Sequence, residues 1–227
     1  MKDEAAGLPA LGEALAALRQ ELVDLVALEF VFVDDGSLDD TWPLLHDRFG
    51  AWPGVQFVRH RTNQGIAASI ATGLQATDAE WAASIDADLS YDPRELRTML
   101  ALREGADLVT ASPYHPSGGV AGVPRWRLAL SRTLSFAYRS LLRAPIHTWT
   151  SCFRLYRRAV VVDLPLANPG FLGTAELLVR VLRRGGRVRE HPCVLGVRRF
   201  GQSKMKIART IFGHLRLLAA VALRRVK

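Results

Sequence analysis

The sequence predicts an α/β domain built on a largely parallel open sheet with helices on both faces. Three observations carry this. Apolar β-branched runs alternate with stretches of helical periodicity from residue 8 to residue 111. Two of those runs, residues 29–33 and 80–84, end directly in pairs of acids. The length of 227 residues, with 49% hydrophobic and 23% charged side chains, suits a folded domain with a sizeable core.

Leu8, Leu11, Leu15, Leu18, Leu22 and Leu25 recur at three- and four-residue steps, so the chain opens with an amphipathic helix. No apolar run precedes it; either the first strand is absent or the sheet has another order. Residues 29–33 form a buried strand running into Asp34-Asp35-Gly36-Ser37-Leu38-Asp39-Asp40-Thr41, where Ser37 or Asp39 can cap the helix through Trp42, Leu45 and Phe49. Asp34 and Asp35 are placed either to accept hydrogen bonds from a nucleotide base or ribose, or simply to make the turn. Residues 55–58 are a further strand, and Asn63-Gln64-Gly65 opens a helix of small residues fit for close packing. The run 80–84 is read as a buried strand that delivers Asp86-Ala87-Asp88 to its carboxyl end. Asp92-Pro93 then starts a helix to about residue 103, Asp as N-cap and Pro at the first helical position. Two carboxylates at such an edge form a hard oxygen site for a divalent cation carrying phosphates; as a bare dipeptide pattern, Asp-x-Asp is also an ordinary loop. A strand follows at 107–111.

Residues 112–124, rich in Gly and Pro, are too long for a simple connector and suit a substrate loop. A basic helix bearing Arg125, Arg127, Arg132, Arg139 and Arg143 follows, most of whose arginines are expected on its solvated face. Residues 150–156 alternate as a strand, residues 171–184 are helical with Glu176 near the start, and residues 187–197 form a strand whose Pro192 implies an edge or bulge. The stretch 198–204 is basic, contains Gly201 and is suited to close over a phosphate. Residues 204–227 form a second unit after a domain at 1–203: Ile207, Ile211, Leu215, Leu218 and Ala222 share one helix face, opposite Lys206, Arg209, Arg216 and Arg224. Such a basic amphipathic helix either docks on its own domain or lies in a membrane interface.

The formal charge of +8 and pI of about 10.2 admit nucleic acid, anionic membranes and phosphorylated substrates alike. Two cysteines without metal-ligand spacing, no signal-peptide pattern and no apolar run of about 20 residues predict an intracellular, reducing location.

Taken together and in this order, Val33-Asp34-Asp35-Gly36-Ser37-Leu38-Asp39-Asp40-Thr41, Asn63-Gln64-Gly65, Asp86-Ala87-Asp88 and Arg199-Phe200-Gly201-Gln202-Ser203-Lys204 resemble the inverting family-2 glycosyltransferases of GT-A fold. Within that family the last motif is similar to the polyprenol-phosphate glycosyltransferases. The resemblance implies a GT-A (Rossmann-like) three-layer sandwich with a mostly parallel central sheet and its first strand missing. It also implies nucleotide-sugar contacts at Glu4, Asp34, Asp35, Ser37, Asp86 and Ala87, and Mg²⁺ or Mn²⁺ on Asp86 and Asp88. Arg127, Arg199, Ser203 and Lys204 would hold the acceptor phosphate, and Asp88, Arg127, Arg199 and Glu176 would form the catalytic set. The implied reaction moves a hexose, mannose from GDP-mannose foremost and UDP-glucose as the other donor, to polyprenyl phosphate. It would occur at the cytoplasmic face of a membrane, with peripheral attachment and no nucleic-acid partner. A lipid phosphate is already anionic and needs no general base, whereas a hydroxyl acceptor would, with Glu176 as the carboxylate to supply it. The alternative reading is a non-catalytic membrane- or nucleic-acid-binding module on a truncated fold of this kind.

Overall fold

The computed structural model describes residues 1–197, 207–223, 225 and 226. In its first half Leu8–Leu22 (α1), Phe30–Asp34 (β1), Thr41–Phe49 (α2), Val55–Arg59 (β2), Ile66–Gln75 (α3), Trp81–Ser84 (β3), Leu96–Ala101 (α4) and Leu108–Ser112 (β4) alternate as the sequence predicts. The second half contains Gly119–Val120 (β5), Arg125–Leu142 (α5), Arg154–Arg157 (β6), Arg158–Val161 (α6), Leu172–Arg183 (α7), Val188–Pro192 (β7), Val194–Leu195 (β8) and Ile207–Ala222 (α8). β1 and β2 pair in parallel, and a four-stranded sheet has the order β3-β6-β4-β7. Because β6 is antiparallel to both neighbours and β7 parallel to β4, the carboxyl ends of β3, β4 and β7 share one edge. β5 and β8 form a short parallel pair.

One face of the sheets buries Leu8, Leu11, Leu15, Leu18 and Leu22 of α1 against Phe32, Phe49, Val109 and Leu155. At roughly 2 kcal/mol per buried leucine, this packing holds a helix that in isolation is only marginally stable. Leu25 falls past the helix end and is exposed, because the chain turns there with Leu25 and Val26 N–H both donating to Leu22 O. The other face packs Tyr138, Trp149, Leu178 and Val221. Pro192 lies in β7, an edge strand, where a missing N–H breaks no inner ladder.

Several boundaries differ from the sequence reading. Of the alternating run 150–156 only residues 154–156 enter the ladder, which continues to Arg157; before them the Cys152 carbonyl accepts from Ser84 Oγ at 2.5 Å. Cys193 separates β7 from β8 within 187–197, and residues 93–95 are a 3₁₀ turn ahead of α4. The strand expected to be buried at 80–84 is only half-buried. Cys152 and Cys193 are free and buried.

β1 and β3 belong to separate sheets. On the edge of β1 away from β2, the Met1 ammonium donates to Val33 O at 2.7 Å and Asp35 N–H donates to Met1 O at 2.8 Å, the bonding of a parallel neighbour strand. Asp3 N–H to Ser37 Oγ and Glu4 N–H to Thr41 Oγ1, both 2.8 Å, continue in the same direction. Burial lowers the pKa of the Met1 amine, opposed first by the charge of Asp86 beyond β3 and then by Asp35 and Asp34. Met1 therefore lies along the carboxyl end of β1, within reach of the charge of Asp86 beyond β3.

α8 docks on α5 and α7, but not by the face its periodicity marks. His214, Leu217 and Val221 are buried while Ile211 and Leu215 face outward. The reason is polar: His214 Nδ1 and Tyr138 Oη lie 3.0 Å apart inside the α5–α8 contact, and burial pushes the His214 pKa down to about 4.

Because the folded chain binds the His214 proton more weakly than the unfolded chain, stability falls with pH from about 6.5 to about 4, by up to roughly 3 kcal/mol. In His214→Gln, thermal melting across that range should lose this part of the slope, and an unchanged slope would contradict the assignment.

Candidate active site

β3 leaves the sheet at Ser84, and the next turn presents Asp86, half-buried, and Asp88, buried. Asp88 Oδ1 accepts the Ser90 N–H at 3.0 Å, the Asx turn that reverses the chain. Leu89 between them is left-handed, φ 55°, an uncommon state for a branched side chain, and its packing against the α1 core holds it there. Asp92 then caps the following turn by accepting the Arg94 N–H at 3.0 Å, with Pro93 at the first helical position, as its sequence predicts.

The acids after β1 are turned inward. Asp34 is fully buried; its Oδ1 accepts the Ser37 N–H at 3.1 Å and its Oδ2 lies 3.0 Å from Arg59 Nε, whose guanidinium covers the Trp42 ring. Asp35 accepts from Gln64 N–H at 2.7 Å and Gly65 N–H at 2.8 Å, and its Oδ1 lies 2.8 Å from His60 Nδ1. Burial alone would raise the Asp35 pKa, but the bonds from His60, Gln64 and Gly65 outweigh it and hold the carboxyl below its ordinary value. Gly36 allows this clamp: at φ +69° its added Cβ would stand 2.7 Å from the Thr62 carbonyl carbon. Ser37 Oγ and the Glu4 N–H are likewise spent on bonds within the chain. Asp34, Asp35 and Ser37, three of the side chains expected to touch a nucleotide, thus also fasten the loops at this edge.

Glu176 has the same fate. It is 1% exposed; Oε1 accepts from Ala167 N–H and Arg180, and Oε2 from the N–H and side-chain amide of Asn168, all within 3.0 Å. Burial raises its pKa, but the bonds from Ala167, Asn168 and Arg180 more than reverse this. A carboxylate so saturated is a weak proton acceptor, and in this structure Glu176 anchors the 167–168 backbone. Ala87 packs partly buried against the core. Arg127 lies in the first turn of α5, and Arg199, Ser203 and Lys204 lie outside the described residues.

Two groups at this edge escape the sequence reading. His60 follows β2 directly and bridges Asp35 to Thr72 Oγ1, 2.9 Å from its Nε2; a histidine immediately after an apolar strand, on the same edge as the acids, was the available signal. The other is the Met1 amine, whose pKa burial lowers against the opposing charge of Asp86 and which no motif marks.

The Glycosyl transferase family 2 model matches residues 4–164. The polyprenol monophosphomannose synthase of Mycolicibacterium smegmatis is 35% identical over 191 residues, covering 78% of this chain and 70% of that protein. The dolichol-phosphate mannosyltransferase of Pyrococcus furiosus is 30% identical over 193 residues, covering 83% of this chain and 53% of that protein. Among solved structures, glucosyl-3-phosphoglycerate synthase from Mycobacterium tuberculosis, in complex with Mn²⁺, UDP and glucosyl-3-phosphoglycerate, superposes with a TM-score of 0.68 at 22% identity, covering all of this chain and 77% of that one. The last comparison gives the GT-A fold, and the sequence match over residues 4–164, which spans both acid-bearing strand ends, places this chain in glycosyl transferase family 2.

Proposed function

We propose that this nucleotide-sugar-dependent glycosyltransferase transfers mannose from GDP-mannose to a polyprenyl phosphate, with inversion, at the inner surface of a membrane. The observation that carries the reading is the pair Asp86 and Asp88, held at the carboxyl end of β3 by an Asx turn and a capped helix start. Relatives named polyprenol monophosphomannose synthase, dolichol-phosphate mannosyltransferase and undecaprenyl-phosphate mannosyltransferase support the acceptor class and the sugar. UDP-glucose, found in solved relatives of the fold, is the donor to compare with GDP-mannose.

The donor set is two carboxylates, hard oxygen ligands that fit Mg²⁺ or Mn²⁺. When bound there, such an ion supplies positive charge for the leaving nucleoside diphosphate. The chain's own residues do the rest. Asp34 and Asp35 tie the loops that wall the nucleotide, while Arg127, Arg199, Ser203 and Lys204 orient the acceptor phosphate. An acceptor oxygen that is already anionic needs no proton removed, which agrees with the commitment of Glu176 to Arg180 and Asn168. Both acids of the pair stand at the edge, which counts against the alternative of a non-catalytic module.

Attachment to the membrane falls to α5 and α8. Among the described residues no helix is long and apolar enough to cross a membrane. The two helices pack on each other yet expose Phe136 at 68%, Phe212 at 62% and Leu215 at 58%, with Arg132, Arg139 and Arg216 on the same helices. Apolar side chains flanked by arginine suit the headgroup boundary of an anionic leaflet.

Asp88→Asn keeps an acceptor for Ser90 N–H and therefore the turn; mannosyl transfer should drop by roughly 100-fold or more with Tm unchanged. Near-normal turnover would overturn the reading. Phe212→Glu with Leu215→Glu should leave Tm unchanged and abolish sedimentation with phosphatidylglycerol vesicles, and retained binding would remove α8 from the membrane contact.

A further inference from the structure

We propose that His115, His147 and Glu190 form a second divalent-cation site, of the Zn²⁺ class, distinct from Asp86 and Asp88. One ligand atom from each of the three side chains lies within 4.8 Å of the others, and a cation bonded at about 2.1 Å draws such atoms together with small rotations. The residues come from three segments: the turn after β4, the loop after α5, and β7. The imidazoles of His115 and His147 meet nearly edge to face, ring centroids 5.1 Å apart.

Glu190 is set up as a ligand. Its Oε1 accepts from His147 N–H at 2.8 Å, Thr148 N–H at 3.0 Å and Ser112 Oγ at 2.6 Å, which fixes the carboxylate and turns Oε2 toward His147 Nδ1, 2.7 Å away. Outer bonds of this kind orient metal-binding carboxylates. His147 Nε2 lies 3.0 Å from Arg139 Nη1. A guanidinium only donates, so Nε2 accepts and Nδ1 carries the proton toward Glu190; a cation seated between Nδ1 and Oε2 displaces that proton on binding. Arg139 thus places a positive charge against this cluster, and being exposed it is free to leave when a metal ion arrives. His115 Nδ1 accepts the Ser117 N–H at 3.1 Å in an exposed turn, a single bond that ligation would exchange. Two imidazoles and one carboxylate, with a position left for water, is a donor set that zinc favours over magnesium. Its effect would be to pin the 112–124 loop, through His115, to the sheet.

The test uses Co²⁺ as a visible probe, titrated into the full chain and into Asp86→Asn/Asp88→Asn, His115→Ala and His147→Ala. The proposal expects one equivalent with the visible bands of imidazole-bound Co²⁺, displaced by Zn²⁺ and retained in the double Asp variant. The affinity falls by roughly 100-fold in either histidine variant. Should His147→Ala fail to fold by circular dichroism, His115→Ala, altered in an exposed turn, decides alone. Absence of the bands, their persistence in His115→Ala, or their loss in the double Asp variant would each overturn the site.

Discussion

The carboxylate of Asp35 is the fastening on which the functional edge depends. It sits at the end of β1 and takes hydrogen bonds from two backbone N–H groups at the start of α3, while His60, just past β2, lies against it. Removing one partner from a buried charged cluster of this kind costs about 3–5 kcal/mol, more than any single leucine of α1 contributes. The fastening propagates. Gly65, at φ +104°, abuts Pro169 O and Gly170, Ala68 N–H donates to Pro169 O at 2.9 Å, and Asn168 is bound in turn by Glu176. From Asp35 to Glu176 a continuous run of polar contacts therefore makes one wall of the site rigid.

Four carboxylates brought to one edge would repel one another, and the chain neutralises them in different ways. Asp34 has Arg59, and Asp35 has His60 and backbone dipoles. Asp86 acts on the Met1 amine, holding its pKa up against burial. Asp35 and Glu176, whose hydrogen bonds hold their pKa low, brace the backbone around the edge. The pair proposed for chemistry sits instead in a turn beyond the strand, where its geometry is set by backbone bonds and a strained Leu89.

Much of this was legible in local pattern. The α1 leucines, the alternation of strand and helix, and the Asp92-Pro93 start all follow from periodicity and turn chemistry acting over a few residues. What was not legible depends on partners distant in sequence. Nothing near Asp35 announces that Gln64 and Gly65, about 30 residues on, will claim its oxygens. Glu176 looks like any helix-start acid until the 167–168 backbone folds over it. An apolar stripe does not show which face of α8 docks, because the bond of His214 to Tyr138 across 76 residues helps set the helix rotation. Residues 150–153 alternate like a strand, yet the Ser84 hydroxyl claims the Cys152 carbonyl.

The most direct measurement is calorimetric titration of GDP-mannose, and then UDP-glucose, into the 227-residue chain with and without Mn²⁺. Binding of GDP-mannose that appears with Mn²⁺ and vanishes on chelation is the result predicted for a diphosphate held at Asp86 and Asp88. Equal binding without the metal, or no binding of either donor by a folded chain, would contradict it.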